Sequence, residues 1–229
     1  TNFVLSNFEA GDLKTVPTGY TWVNLVKDNI NRPDVTGLGA SWTAVTGIVA
    51  PNIVGNQAES NVDFGARYSA ITWPNDQYAN LTIVGVVTTD NLIGSGIAVR
   101  MDTSSAYTAY NLKYGGHVAA GGEYAGILQK VVTGVFTAYT YFDPPAKTND
   151  IISLGVVGKT IIVKYNNVLV FMLTDSSIAS GAAGIMGRGT TPKPFMDNFE
   201  GGMLLAGESL GYIQQNKLRP RIFGPGIAR

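Results

Sequence analysis

The sequence has no cysteine and a single histidine among its 229 residues. Without thiols there is no disulfide scaffold, no thiolate zinc site, no iron–sulfur cluster and no cysteine nucleophile. Charge is scarce as well, at 14% Asp, Glu, Lys and Arg against roughly 25% in an average soluble domain. Sixteen basic residues balance sixteen acidic ones, which argues against a general nucleic-acid partner or a polybasic membrane surface. No window approaches the ~18 consecutive apolar residues of a membrane-spanning helix. The N-terminus, Thr1-Asn2-Phe3-Val4-Leu5-Ser6-Asn7-Phe8-Glu9, lacks a cationic start and reads as free of a signal peptide. Helical periodicity is nearly absent, with only Glu208 to Leu218 suited to a short helix and Gly211 interrupting even that.

What the chain does contain is 45% apolar residues and 28 glycines, about 12% glycine against a usual ~7%. That composition describes a globular chain with many turns, long enough to bury well over half of its unfolded surface. Short runs at period two dominate: Ala79 to Val87, Gly96 to Met101, Tyr110 to Tyr114 and Gly126 to Val132. Thr160 to Leu173 reads as a hairpin, because Asn166-Asn167 tolerates the positive φ of a tight primed turn. A second turn at Gly158-Lys159 pairs Ile151 to Val157 with Ile161 to Tyr165. The expectation is an all-β, two-sheet antiparallel sandwich of jelly-roll type over residues 1–204, since many short strands must pack face to face to bury their apolar sides. Ser6 to Leu13 and Asp197 to Leu204 match at five of eight positions, which suggests paired terminal strands. The remainder, 205–229, carries Lys217, Arg219, Arg221 and Arg229 against Glu208, a net of +3 that leaves −3 on 1–204. With Pro220 and Pro225 it reads as an extended assembly arm. Arg219 and Arg221 would meet acidic groups of a neighbour, and Ile222, Phe223 and Ile227 would be covered by it.

The order of several motifs carries a resemblance. Asp28-Asn29-Ile30-Asn31-Arg32-Pro33-Asp34, then Leu38-Gly39-Ala40-Ser41-Trp42, is similar to the D-x-F-x-R-x-[DN] and L-G-x-x-W opening of concanavalin A-like, laminin-G-like jelly rolls of phage and bacterial proteins, with Ile30 in place of the aromatic. Gly55-Asn56-Gln57-Ala58, Asn75 to Ala79, Gly96 to Arg100, Tyr110-Asn111-Leu112, Gly184-Ile185 and Met196 to Gly202 follow in order, so the resemblance spans about 28–202. It implies a lectin-like sandwich, a fold that hosts glycan binders, hydrolases, lyases and structural modules alike. It also implies a structural calcium held by Asp197, with Asp28 or Glu9 as its partner. The other reading of Asp197 is a turn cap, and no other cofactor is required.

Chemistry is thinly represented. Related glucanases use an E-x-D-x-E strand that aims its acids to one face, and no such pattern occurs. The three-residue spacings of Glu9 with Asp12 and of Asp197 with Glu200 put the acids on opposite faces of a regular strand. His117 follows Gly115-Gly116, reads as a turn residue, and has no nucleophile elbow beside it. Tyr107, Tyr110, Tyr114, Tyr139 and Tyr141, with Tyr124, Phe136 and Phe142 in the same stretch, are either sugar-stacking groups or core and interface residues. The expected function is therefore non-enzymatic: a bacteriophage virion protein, head decoration or tail and attachment component. Its partners would be copies of itself or the major capsid or tail protein, with no nucleic acid and no membrane. The alternative is a module that binds cell-surface glycan, and a polysaccharide lyase or hydrolase ranks third.

Overall fold

The computed structural model describes residues 19–85, 94–102, 107–119, 122–142, 146–189 and 193–206. Among these residues there is no helix and there are fifteen strands. In chain order they are β1 (Tyr20–Asp28), β2 (Trp42–Ala44), β3 (Asn52–Val54), β4 (Gln57–Glu59), β5 (Phe64–Tyr68), β6 (Gln77–Gly85), β7 (Ser95–Met101) and β8 (Ala109–Ala119). There follow β9 (Gly122–Val132), β10 (Val135–Phe142), β11 (Ile151–Val157), β12 (Thr160–Tyr165), β13 (Val168–Thr174), β14 (Ala182–Gly187) and β15 (Phe195–Ala206). They form two antiparallel sheets, in the orders β13-β12-β11-β6-β15-β4-β3, with β1 also paired to β15, and β10-β9-β8-β7-β14-β5-β2. The sandwich is the compact unit Trp22–Leu205.

Tight turns are where local chemistry sets the fold. Asn166 and Asn167 have φ of 49° and 64° and close β12 onto β13 through the pair Tyr165 and Val168, the two-residue primed turn that asparagine permits. Gly158, at φ 54°, closes β11 onto β12. Thr133-Gly134 joins β9 to β10 with φ of 49° and 80°; a β-branched residue in the left-handed region is strained there.

Period-two alternation fills the space between the sheets. Ile97, Leu112, Leu128 and Ile185 of the second sheet pack with Leu81, Leu154, Ile161 and Phe199 of the first in one core, all essentially inaccessible to water. Each such side chain contributes about 1.5–3 kcal/mol when buried. A smaller cluster lies outside this core: Val45, Ala98, Met101, Ala109, Val131 and Met186, with Ile48 and Tyr107 against it. It covers the outer face of the second sheet, so central strand β7 is buried along its whole length.

Two sequence expectations fail locally. His117 belongs to β8, opposite Tyr124 of β9, rather than to a turn; the glycine pair before it produces a register shift between Tyr114 and His117, not a chain reversal. Asp197 and Glu200 face the same way, because a bulge at Asn198 (φ 51°) sets Asn198 and Phe199 of β15 against Leu81 alone of β6, with Asp197 opposite Thr82 and Glu200 opposite Asn80. The segment 6–13, the helix expected at 208–218 and the arm residues Arg219, Arg221, Ile222, Phe223 and Ile227 lie outside the described residues, as does Glu9.

Candidate functional site

The carboxylate of Asp28 explains the motif that carried the resemblance. Its Oδ1 accepts from the Ile30 amide at 2.9 Å and from Arg32 Nη1 at 2.8 Å. Its Oδ2 accepts from Arg32 Nη2 at 2.8 Å and Trp42 Nε1 at 2.7 Å. Arg32 Nη2 also donates to the Leu38 carbonyl at 2.8 Å, which ties D-x-x-x-R to L-G-x-x-W directly. Ile30, between Asp28 and Arg32, is fully buried at φ 53°. Burial alone would raise the Asp28 pKa, but the hydrogen bonds from Arg32, Trp42 and the Ile30 amide outweigh it and hold the carboxyl below its usual value.

Four donors occupy all four lone-pair positions of Asp28, so it offers no oxygen to a cation. Asp197 accepts from the Asn198 amide at 2.7 Å; burial, with the Asp28 charge nearby, raises its pKa. Among the described residues no group of three or more acidic or histidine side chains is arranged to hold a metal. Asp28, with its acceptor positions taken within the chain, is therefore an internal anchor beside Asp197. On the same outer face, Glu200 pairs with Lys27 at 2.5 Å.

The tyrosines divide. Tyr110 and Tyr114 are in the core, at 0% and 2% exposure, and present no ring face to solvent. Tyr110 donates to Asp175 Oδ1 at 2.6 Å and Tyr139 to Asp175 Oδ2 at 2.6 Å, while Lys130 Nζ lies 3.1 Å from the same carboxylate. Burial would raise the pKa of Asp175; the two phenols and Ser177 outweigh it and hold the carboxyl far below the usual range. Burial and the Asp175 bond push Tyr110 up to about 12. This group ties β8, β9 and β10 to the segment after β13. Tyr141 is half exposed on β10.

Tyr107 is placed differently, on a cleft of about 250 Å³ in the outer face of the second sheet. The floor comes from β8 and β9. Because Tyr110, Leu112 and Tyr114 point inward, Asn111 and Lys113 point outward. Asn111 Nδ2 donates to the Ile97 and Met186 carbonyls at 3.0 and 2.9 Å, and its Oδ1 accepts from Gln129 Nε2 at 2.8 Å. These bonds lock a polar floor into position. Phe136 of β10, 48% exposed, stands edge-on to Tyr107 with ring centroids 5.7 Å apart and forms a wall. Lys113 Nζ lies 5.7 Å from the centre of the Phe136 ring. Asp63 and Arg188 close the rim, paired loosely at 3.4 Å and both well exposed. Burial lowers the Lys113 pKa, with the Asp63 charge opposing; burial and the same charge raise that of Tyr107. Of the sequence candidates, then, Tyr107 reaches the cleft. Asn111, Lys113, Gln129, Asp63 and Arg188 were missed, although the alternation along β8 exposes the first two to anyone who assigns its inward face.

Comparison with solved structures settles the architecture. A protein from Bacillus subtilis described as having a galectin-like fold superposes with a TM-score of 0.56 at 12% identity, over 82% of this chain and 100% of the other. The fold is that of the concanavalin A-like jelly rolls. A prokaryotic β-1,3-1,4-glucanase (lichenase) from a mouse hindgut metagenome matches at 0.53 and 6% identity, over 77% and 98% of the two chains. The VIP36 exoplasmic/lumenal domain, in a Ca²⁺/Man-bound form, matches at 0.52 and 8% identity, over 74% and 86%. No family model matches the sequence, and no curated protein matches it.

Proposed function

We propose that this concanavalin A-like chain is a non-catalytic glycan-binding module whose ligand occupies the outer-face cleft of the second sheet. The observation that carries the reading is the half-exposed Phe136 ring, braced edge-on by Tyr107 beside an outward polar floor of Asn111, Gln129 and Lys113. Sugars present apolar ring faces rimmed by hydroxyls, which is the chemistry such a wall and floor complement. At about 250 Å³ the cleft is smaller than the ~300–1,000 Å³ of drug-sized ligand sites and suits one terminal sugar or a short segment. The sugar-acting and sugar-bound neighbours of the fold support a carbohydrate ligand over the virion role expected first. Glycoside hydrolysis uses two carboxylates, and Asp63 is the one acid among the described residues that line the cleft. That supports binding without turnover.

A glycan array followed by calorimetry on the best ligand tests this. Phe136→Ala is expected to weaken binding about three- to tenfold, the worth of a stacked aromatic contact, with an unchanged melting temperature. An array with no ligand, or full affinity in Phe136→Ala, overturns it.

One observation favours a second reading, assembly with other copies. Edge strands β10 and β13 contain no charged residue, and Val135, Val168, Leu169 and Val170 are 65%, 67%, 45% and 40% exposed. Uncharged apolar edges of this kind pair readily with another strand. Sedimentation of the full chain, with Val168→Lys as the variant that breaks self-association, decides it.

A further inference from the structure

We infer that the cleft selects glycans bearing an anionic substituent, a uronate carboxylate or a sulfate ester, and that Lys113 is the group that recognises it. This rests on the glycan-binding reading above and adds a substrate class to it. Lys113 projects from the centre of β8 into the cleft beside the locked Asn111 floor, not at its rim. Among the described residues its ammonium makes no hydrogen bond and no ion pair within 4 Å, and it lies over the Phe136 ring, 5.7 Å from the centroid. Asp63, the acid that faces it, is already engaged by Arg188 at 3.4 Å. The cleft thus holds two cations to one carboxylate.

A cation drawn out of water without a full counter-charge favours any ligand that supplies one. Its low-dielectric surroundings strengthen that pairing relative to a surface lysine. Phe136 matters here too: a sugar held against this ring within the cleft would carry its substituents close to Nζ, which lies 5.7 Å from the ring centre. A neutral sugar would leave the ammonium with hydroxyls only, whereas an anionic group gives a charge-assisted hydrogen bond, about twice as strong.

The test measures binding of the full chain by calorimetry at low salt to three oligosaccharide probes: oligogalacturonate (carboxylate), carrageenan oligosaccharides (sulfate ester) and a neutral galactan series. The variants are Lys113→Gln and Lys113→Arg, with melting curves to establish that each is folded. The expected result is affinity for one anionic series about tenfold or more above the neutral one. That excess should be lost in Lys113→Gln, retained in Lys113→Arg, and reduced by added salt. Which of the two anionic probes binds identifies the substituent. Equal affinity for neutral and anionic probes, or anionic binding untouched by Lys113→Gln, overturns the inference while leaving the glycan-binding reading in place. No binding to any of the three, or to a broad array, removes both.

Discussion

Replacing Asp28 by Asn separates its role as an internal anchor from that of a metal ligand. The side chain is 9% exposed and its partner Arg32 32% exposed. Four donors converge on it at 2.7–2.9 Å. In the variant the new amide N–H₂ points at donors, so at least the Arg32 Nη2 and Trp42 Nε1 bonds are lost and the indole N–H is left without an acceptor. Breaking a buried ion pair from one side costs about 3–5 kcal/mol; because Arg32 retreats partly into water, the low end applies, about 3 kcal/mol. For a domain of this size that is a fall of about 6–12 °C in melting temperature. Urea denaturation of wild type, Asp28→Asn, Arg32→Gln and the double variant should give a coupling of about 1–3 kcal/mol. The sign with pH follows from a folded-state pKa held below its unfolded value near 3.9. The contribution is complete above about pH 4 and is lost as pH falls through the folded value, so wild type and Asp28→Asn converge in acid. A loss under about 1 kcal/mol, or coupling near zero, refutes the anchor. So does a melting temperature that responds to calcium and chelator in wild type but not in Asp28→Asn.

Three further perturbations have definite signs. Asp175→Asn removes the acceptor shared by Tyr110, Tyr139, Lys130 and Ser177 and should cost about 2–4 kcal/mol by urea denaturation. Because the Asp175 pKa is held far below its usual value, that contribution is complete in wild type above about pH 4 and declines only as the pH falls from there through the folded value. Thr133→Asn should stabilise by about 0.5–1 kcal/mol, since asparagine accepts the φ of 49° that strains a β-branched residue; a lower urea midpoint would contradict the assigned turn. Gly96→Ala should destabilise severely or abolish folding, because its Cβ would sit 2.1 Å from the Met186 carbonyl oxygen and 2.9 Å from that of Leu112. Soluble expression with native circular dichroism would show that β7 is not packed as described.

The sequence alone determined whatever local chemistry controls. The alternation along Tyr110 to Tyr114, the Asn166-Asn167 reversal and the Gly158 turn are decided by side chains within a few residues, and the structure has each where the sequence puts it. The two-sheet sandwich follows, because strands with one apolar face have few other ways to cover it. Tertiary structure alone decided which strands are neighbours beyond these hairpins and which faces meet water. Tyr110 and Tyr114 read equally well as sugar platforms or core until β8, between β7 and β9, turns that face to the other sheet. Asp28 reads as a calcium partner until Arg32 and Trp42, four and fourteen residues on, close around it. Asp197 and Glu200 share a face through a one-residue bulge that no spacing rule reveals. The cleft is the clearest case: Asp63, Tyr107 with Lys113, Phe136 and Arg188 come from four separate stretches of chain. Their meeting depends on strand order and on the Val45, Ile48 and Tyr107 cover over the outer face, and contacts so distant along the chain leave no period in the sequence.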